Sequence, residues 1–241
     1  MAYQSIFKRV EKKYLLDEKT YKQLILRLEE YVVPDEYGES TICNVYYDTP
    51  DSRLIRQSLE KPVYKEKFRV RSYGTATSDS TVFVELKKKY KGVVYKRRVG
   101  MKLKKAEQFI EQGVSAGKNK QIENELRYFL DYYKGIAPAM FLSYERTAFN
   151  SKNDPELRIT FDKNIIYRQE EMSLDKGVWG THLLKKGERV LEIKVPGSMP
   201  KWLSQILDEL EIYPTSFSKY GKAYAEVTSE NFNKGKVNYC A

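Results

Sequence analysis

The sequence predicts an α+β protein built on an eight-stranded antiparallel β-barrel, with a charged lumen and helices around the outside. Three observations carry this reading. Extended segments recur between turn residues; charged and apolar side chains alternate along them; and amphipathic segments between them need an apolar surface to cover.

Taken in order, strands are read at 4–14, 40–48, 64–73, 81–90, 93–100, 139–149, 156–166 and 188–196. Their aromatic and β-branched content, in a chain with 20 Tyr and 10 Phe, suits a pleated, half-buried surface. KKYKGVVYK around Gly92 reads as a hairpin turn, and FNSKNDPELR around Asn153 and Asp154 as another. A helix is read at 17–32, with an Asp or Thr cap and Leu24, Leu28 and Tyr31 at helical spacing. Others fall at 104–112, 119–134, 200–212 with Pro200 near the start, and 216–227. No Pro/Ser-rich linker or repeat divides the chain, so residues 1–241 read as a single domain.

Side chains two apart on a strand share a face. In KFRVRSYG, Arg69 and Arg71 therefore oppose Phe68 and Val70. Arg9, Glu11 and Lys13 share a face; Glu85 and Lys87 oppose Val82, Val84 and Leu86. Arg158, Thr160 and Asp162 oppose Leu157, Ile159 and Phe161, and Glu192 and Lys194 oppose Leu191, Ile193 and Val195. Tyr144, Arg146 and Ala148 share a face as well. A half-buried sheet with its polar face in water explains any one strand. It explains the set less well, because the polar face is rich in arginine. If helices cover the apolar face, the charged face of a closed sheet lies inside, where crowded cations require an anion or water. Arginine forks pair bidentately with phosphate oxygens, and Glu192 with Glu11 or Glu85 offers hard oxygen ligands for Mg²⁺ or Mn²⁺.

The composition agrees. Lys+Arg is 43 against Asp+Glu 33, a net charge of +10, which implies an anionic partner. Cys43 and Cys240 form no pairing pattern, and one histidine with scattered cysteines argues against a His/Cys zinc site. No signal peptide and no stretch of about 20 apolar residues is present, so the expectation is a soluble, cytoplasmic protein.

Nine stretches, in order, resemble the VTC domain, the polyphosphate-polymerase branch of the triphosphate tunnel metalloenzymes (CYTH-like). They are RVEKKY, YYDTPD (46–51), FRVR, VFVELKKK, YKRR, SYERTAF, LRITFD, VLEIKV and FSKYGKAY, spanning residues 5 to 228. The resemblance implies an eight-stranded triphosphate tunnel that binds a nucleoside triphosphate and inorganic polyphosphate with Mn²⁺ or Mg²⁺. It implies transfer of the γ-phosphoryl, with ATP as the expected donor, to a growing polyphosphate chain. It places Lys13, Arg69, Arg71, Lys87, Lys96, Arg98, Tyr144, Arg146, Arg158, Lys194, Ser218 and Lys219 on phosphate. Arg146, Arg158, Lys219 and Glu192 are the expected catalytic residues, and Glu192, Glu11 and Glu85 the metal ligands. Ser218 and Lys219, at the start of the last helix, would cap a terminal phosphate. Arg97 remains an alternative to Arg98, because Val93 and Val94 blur the face of that strand.

The hydrolase branch carries ExExK on its first strand. Arg9 stands here at the first Glu position, which favours the polymerase branch over tripolyphosphatases and cyclases. In relatives the domain is often joined to membrane or other modules. This chain carries none, leaving a standalone enzyme, action with a separate membrane partner, or a fragment.

His182, the only histidine, reads as a surface or structural residue, Cys43 as a small packed one, and Trp179 and Trp202 as core. The lysine run 87–91 is in part a solvated hairpin tip, and Lys102, Lys104 and Lys105 a solvated helix start. The rivals are a tripolyphosphatase or NTP phosphohydrolase in the same tunnel, a non-catalytic polyphosphate-binding module, and a nucleic-acid binder. The charge permits the last, but no nucleic-acid motif or basic–aromatic stripe supports it, so no nucleic-acid partner is expected.

Overall fold

The computed structural model describes residues 10–237 apart from 92, 116 and 118. In chain order the elements are β1 (Val10–Leu16), α1 (Glu18–Leu28), β2 (Val32–Asp48), α2 (Arg53–Leu59), β3 (Tyr64–Tyr73), β4 (Thr81–Tyr90) and β5 (Val93–Lys102). There follow α3 (Leu103–Gln112), α4 (Lys120–Tyr132), β6 (Ala137–Ser151), β7 (Arg158–Arg168), β8 (Thr181–His182), β9 (Arg189–Val195), α5 (Lys201–Glu209) and α6 (Lys219–Val237).

The strands form one antiparallel sheet in the order β1-β9-β7-β6-β2-β3-β4-β5, with β8 added beside β7. Alternation does what the sequence requires. Phe68, Val70, Val82, Val84, Leu86, Val99 and Met101 pack beneath Phe109 of α3 and Leu126, Phe129 and Leu130 of α4. Around the sheet, Tyr14, Leu16, Ile159, Phe161, Leu191 and Ile193 pack beneath Leu24 and Leu28 of α1 and Leu203, Ile206 and Leu207 of α5. The helices thus cover the apolar face, and the charged face curls inward. Contacts between strands that are not hydrogen-bonded neighbours record the curl. Arg71 of β3 reaches Tyr144 of β6 at 3.1 Å, and Glu11 of β1 lies 3.5 Å from Lys87 of β4.

Local chemistry places the helix ends. Asp17 caps α1 by accepting from the Thr20 N–H at 2.7 Å, and Asn119 caps α4 through the Ile122 N–H. Gly113 ends α3 at φ +81°, a left-handed position that costs glycine little.

Several expectations are corrected. The sheet is not closed by hydrogen bonds: β1 and β5 are its two ends, and the Glu11–Lys87 ion pair bridges from β1 into the β4–β5 hairpin. A ninth, two-residue strand, β8, was not foreseen. β2 begins at Val32 rather than at 40, with a register shift between Pro34 and Glu39 across Gly38, which has a positive φ of 57°. Helix α2 escaped the sequence reading because its seven residues are too short to display a period. Asp48 builds it instead, accepting from the N–H groups of Thr49, Leu54 and Ile55 and from the Tyr220 hydroxyl. Trp179 is not core: it is 41% exposed and lies over the Arg168 guanidinium. Arg9 and Cys240 lie outside the described residues. No helix among the described residues is long and apolar enough to cross a membrane.

Candidate functional site: a cation-lined tunnel

Cross-strand register stacks cations on the concave face. On β3 and β4, Lys65 faces Lys89, Lys67 faces Lys87, and Arg69 faces Glu85. On β5, Lys96 faces Lys87 and Arg98 faces Glu85. Arg97 points outward and donates to Glu125 of α4 at 2.6 Å, so Arg98 is the inward residue of the pair. β6 and β7 contribute Arg146 and Arg158, β9 and β1 contribute Lys194 and Lys13, and α6 contributes Lys219.

The tunnel acids are Glu11, Glu85, Asp162 and Glu192. Each is already engaged. Glu85 is 2% exposed and has Arg69 at 2.7 Å, Lys96 at 2.7 Å and Arg98 at 3.1 Å. Burial would raise its pKa, but Arg69, Arg71 and Lys96 outweigh burial and hold it ionised. Asp162, wholly buried, accepts both forks of Arg146 at 2.6 and 2.8 Å and the Lys219 ammonium at 2.5 Å. Glu192 lies 2.7 Å from Lys194 and 3.8 Å from Arg146. Against its burial, Lys194, Lys13, Lys219 and Arg146 hold its pKa well below the carboxylate range.

Those acids leave many cations uncompensated. Arg71, 7% exposed, donates among the described residues to neutral partners, Asn44 Oδ1 at 2.9 Å and Tyr144 Oη at 3.1 Å. Asn44 is held in turn by the Leu142 carbonyl. Lys67 has no acid partner among the described residues. Burial, with Lys13, Lys87 and Lys65 nearby, pushes its pKa down to about 8 against the pull of Tyr46. Lys96 falls to about 8 as well, because burial and the charges of Arg69 and Arg71 exceed the pull of Glu85. Tyr46 shows the same field from the other side. Burial would raise its hydroxyl, yet Arg69, Lys67 and Arg71 bring it down to about 8. A site that strains to deprotonate lysines and ionise a tyrosine is short of negative charge.

Helix α6 closes part of this space. Its approach is pinned by the Thr215 N–H on the Lys13 carbonyl at 2.7 Å and by Lys13 Nζ on the Phe217 carbonyl at 3.1 Å. Phe217, Tyr220 and Ala223 then pack on Tyr46, Met140, Leu142, Tyr144 and Ile165, an apolar patch on the same concave face. Ser218 is the N-cap. Its Oγ accepts from the Gly221 N–H at 3.1 Å and from Lys67 Nζ at 2.9 Å.

The expected phosphate residues therefore share one face, with two distinctions. Arg158 sits toward one end of the tunnel, 47% exposed and 2.6 Å from Asp35, away from the Arg146–Asp162–Lys219 centre. The three expected metal ligands do not converge; no group of three or more His, Cys, Asp or Glu able to hold a metal occurs among the described residues. Glu85 is held by Arg69, Lys96 and Arg98, whereas Glu11 and Glu192 sit on the directly paired strands β1 and β9. Burial raises Glu11's pKa, and Glu192 raises it too, but Lys87, Lys13 and Lys194 keep it below its usual value. Two ionised carboxylates fit a hard divalent ion that takes its other ligands from phosphate and water.

Sequence reasoning missed Lys67, Asp162, Asn44 and Tyr46. Lys67 was findable, since it has the same parity as Arg69 and Arg71. Asp162 showed only as one charge in an alternating stripe. Asn44 and Tyr46 act through their partners, which the sequence does not display. His182 is exposed on β8, as expected, and Cys43 is buried, with its thiol pushed up to about 11 by desolvation.

Fold and site together define a triphosphate tunnel protein: an antiparallel sheet curled around a basic lumen. The VTC domain model matches residues 8–228, and the chain belongs to that family. Among solved structures it is similar to a proposed adenylate cyclase from Bacillus halodurans, with a TM-score of 0.56 at 16% identity, covering 89% of this chain and 96% of that one. A proposed adenylate cyclase from Vibrio parahaemolyticus matches with a TM-score of 0.48 at 12% identity, over 92% and 99% of the two chains. A proposed adenylyl cyclase from Hippeastrum, described as having a dominant triphosphatase activity, matches with a TM-score of 0.45 at 15% identity, over 88% and 93%. No curated protein matches the chain.

Proposed function

We propose that this chain is a metal-dependent polyphosphate polymerase that transfers the γ-phosphoryl of a nucleoside triphosphate, ATP being the expected donor, to a polyphosphate chain held in the tunnel. The observation that carries the reading is the charge deficit of the lumen. Arg71 rests on neutral partners and Lys67 has no acid partner among the described residues, so linked phosphates supply what the tunnel lacks. Membership of the VTC family and the Arg at position 9 support transfer over hydrolysis.

In this reading the terminal oxygen of the acceptor chain attacks the γ-phosphorus. The bond from that phosphorus to the β-bridging oxygen breaks, and the nucleoside diphosphate leaves. Such a transfer needs positioning and charge neutralisation more than covalent work by the protein. Arg69, Arg71, Lys87, Lys96 and Arg98 hold one side of the phosphate chain. Lys13, Lys194 and Tyr144 line the other. Arg146 and Lys219, oriented by Asp162, lie where charge on the transferring group is neutralised. Arg158 acts nearer the end of the tunnel, and Ser218 holds Lys67 beside the helix N-terminus. Glu192 and Glu11 would hold Mn²⁺ or Mg²⁺, which withdraws charge from phosphate oxygens when bound.

Incubation with ATP and Mn²⁺, followed by a gel stained for polyphosphate, tests the reading. Long chains are expected. Orthophosphate alone would make it a hydrolase, and binding without turnover a polyphosphate-binding module. Glu192→Gln is expected to abolish chain formation while leaving the protein folded.

A further inference from the structure

Beyond the phosphate-binding lumen, the ladder of cations runs on to a second feature. Below Lys67 and Lys87 lie Lys65 and Lys89, and beyond them a cavity of about 420 Å³ lined by Lys61, Pro62, Val63, Lys65, Lys89, Lys91 and Ser216. Among the described residues none of these four lysines is paired with an acid; Lys65 donates to the Ser58 carbonyl and Lys91 lies over the Tyr90 ring. Burial and the charges of Lys89, Lys87, Lys13 and Lys61 lower the pKa of Lys65, so these ammonium groups crowd one another.

The walls of this opening are fixed. The Lys91 N–H donates to the Val63 carbonyl at 3.0 Å and joins the loop before β3 to the β4–β5 turn. Lys61 and Lys91 adopt φ of +54° and +45°, a left-handed conformation that is unfavourable for a residue with a Cβ. Both turns thus carry lysine where glycine or asparagine would relax the backbone. At this end, Phe217, Tyr220 and Ala223 fill the side of the tunnel next to β2, β6 and β7. The side next to β3 and β4 stays open, with Ser216 as its far wall. The opposite end is charge-compensated: Arg158 pairs with Asp35 there.

We propose that this lysine-lined opening is the mouth through which a linear inorganic polyphosphate chain extends out of the tunnel, and that it is a chain-length-sensing subsite. The proposal rests on the tunnel holding linked phosphates. A triphosphate occupies the lumen alone, whereas a longer chain also reaches Lys61, Lys89 and Lys91. Affinity therefore rises with chain length, and the gain resides in those lysines.

Calorimetric titration with tripolyphosphate and with long-chain polyphosphate tests it. The wild-type protein is expected to bind the long chain more tightly, per chain end, than tripolyphosphate. The triple variant Lys61→Ala/Lys89→Ala/Lys91→Ala is expected to keep its tripolyphosphate affinity and lose about tenfold for the long chain, as three exposed charges would contribute. The triple lysine-to-arginine variant keeps the charge and should keep the preference; the double variant Lys61→Ala/Lys91→Ala serves if the triple alanine chain does not fold. Equal loss for both ligands, or no loss for either, overturns the mouth while leaving the tunnel reading intact. Failure of the wild-type protein to bind tripolyphosphate overturns the tunnel reading and the mouth with it.

Discussion

Lys67 of β3 donates to Ser218 Oγ at 2.9 Å, joining a half-buried cation of the tunnel wall to the N-cap of α6. The two residues are 151 positions apart in sequence, so the contact ties the C-terminal helix to the first half of the sheet. Ser218→Ala removes both the cap and a partner of Lys67. The expected loss is about 1 kcal/mol, or roughly 2–4 °C in the melting temperature of a chain this size. Differential scanning calorimetry checks it, and tripolyphosphate should restore part of the loss by supplying Lys67 with an anion.

Asp162 should behave as a stand-in for substrate charge. Asp162→Asn strands Arg146 and Lys219 in a buried site, at an expected cost of about 3–5 kcal/mol without ligand. Saturating tripolyphosphate should shift the variant's melting temperature more than that of the wild type. An equal shift in both proteins would show that phosphate does not reach this pair.

Glu85 and Glu11 should separate in metal dependence. Glu85→Gln loosens Arg69, Lys96 and Arg98 and lowers stability, but leaves the Mn²⁺ concentration for half-maximal activity or binding unchanged. Glu11→Gln raises that concentration severalfold. Metal titration of the two variants decides between these carboxylates.

Polyphosphate binding should weaken as pH rises. Lys67 and Lys96, with pKa values of about 8, are partly neutral above that pH, while an unfolded lysine stays protonated to about 10.4. Without ligand the sign is clear: the folded chain holds these protons less tightly than the unfolded one, so this contribution to stability grows between about pH 8 and 10.4. Bound phosphate reverses the preference, so binding near pH 8 takes up protons. Titration calorimetry in buffers of different ionisation enthalpy measures that uptake directly.

Arg97 and Arg98, adjacent in sequence, should have unrelated effects. Arg97→Ala removes an outer ion pair with Glu125 and should leave tripolyphosphate affinity within twofold. Arg98→Ala should weaken it by about tenfold, the scale of one charge-assisted contact. A loss confined to the Arg97 variant would mean that β5 presents the other face.

The pair also shows where reading the sequence stopped. The KFRVR stretch alternates so strictly that Phe68 and Val70 had to face a core and Arg69 and Arg71 had to oppose them. In VVYKRRV, Val93 and Val94 break the alternation, and only the register of β5 on β4 decides that Arg98 faces Glu85. Helix α2 was invisible for a related reason: its first turn is held by Asp48, which accepts from the Leu54 and Ile55 N–H groups and is itself held by the hydroxyl of Tyr220, far along the chain.

The strand positions, their apolar and charged faces, most of the helices and the surplus of cations were determined by local pattern, because side-chain parity and periodicity are properties of neighbouring residues. The tertiary structure alone decided which acids neutralise which cations. It left Glu85 saturated by Arg69, Lys96 and Arg98, brought β1 and β9 together so that Glu11 and Glu192 line one wall, and seated α6 against Asp162 through Lys219. Charge pairing acts through space over a few ångströms, and the curl of the sheet, not the order of the chain, sets those distances.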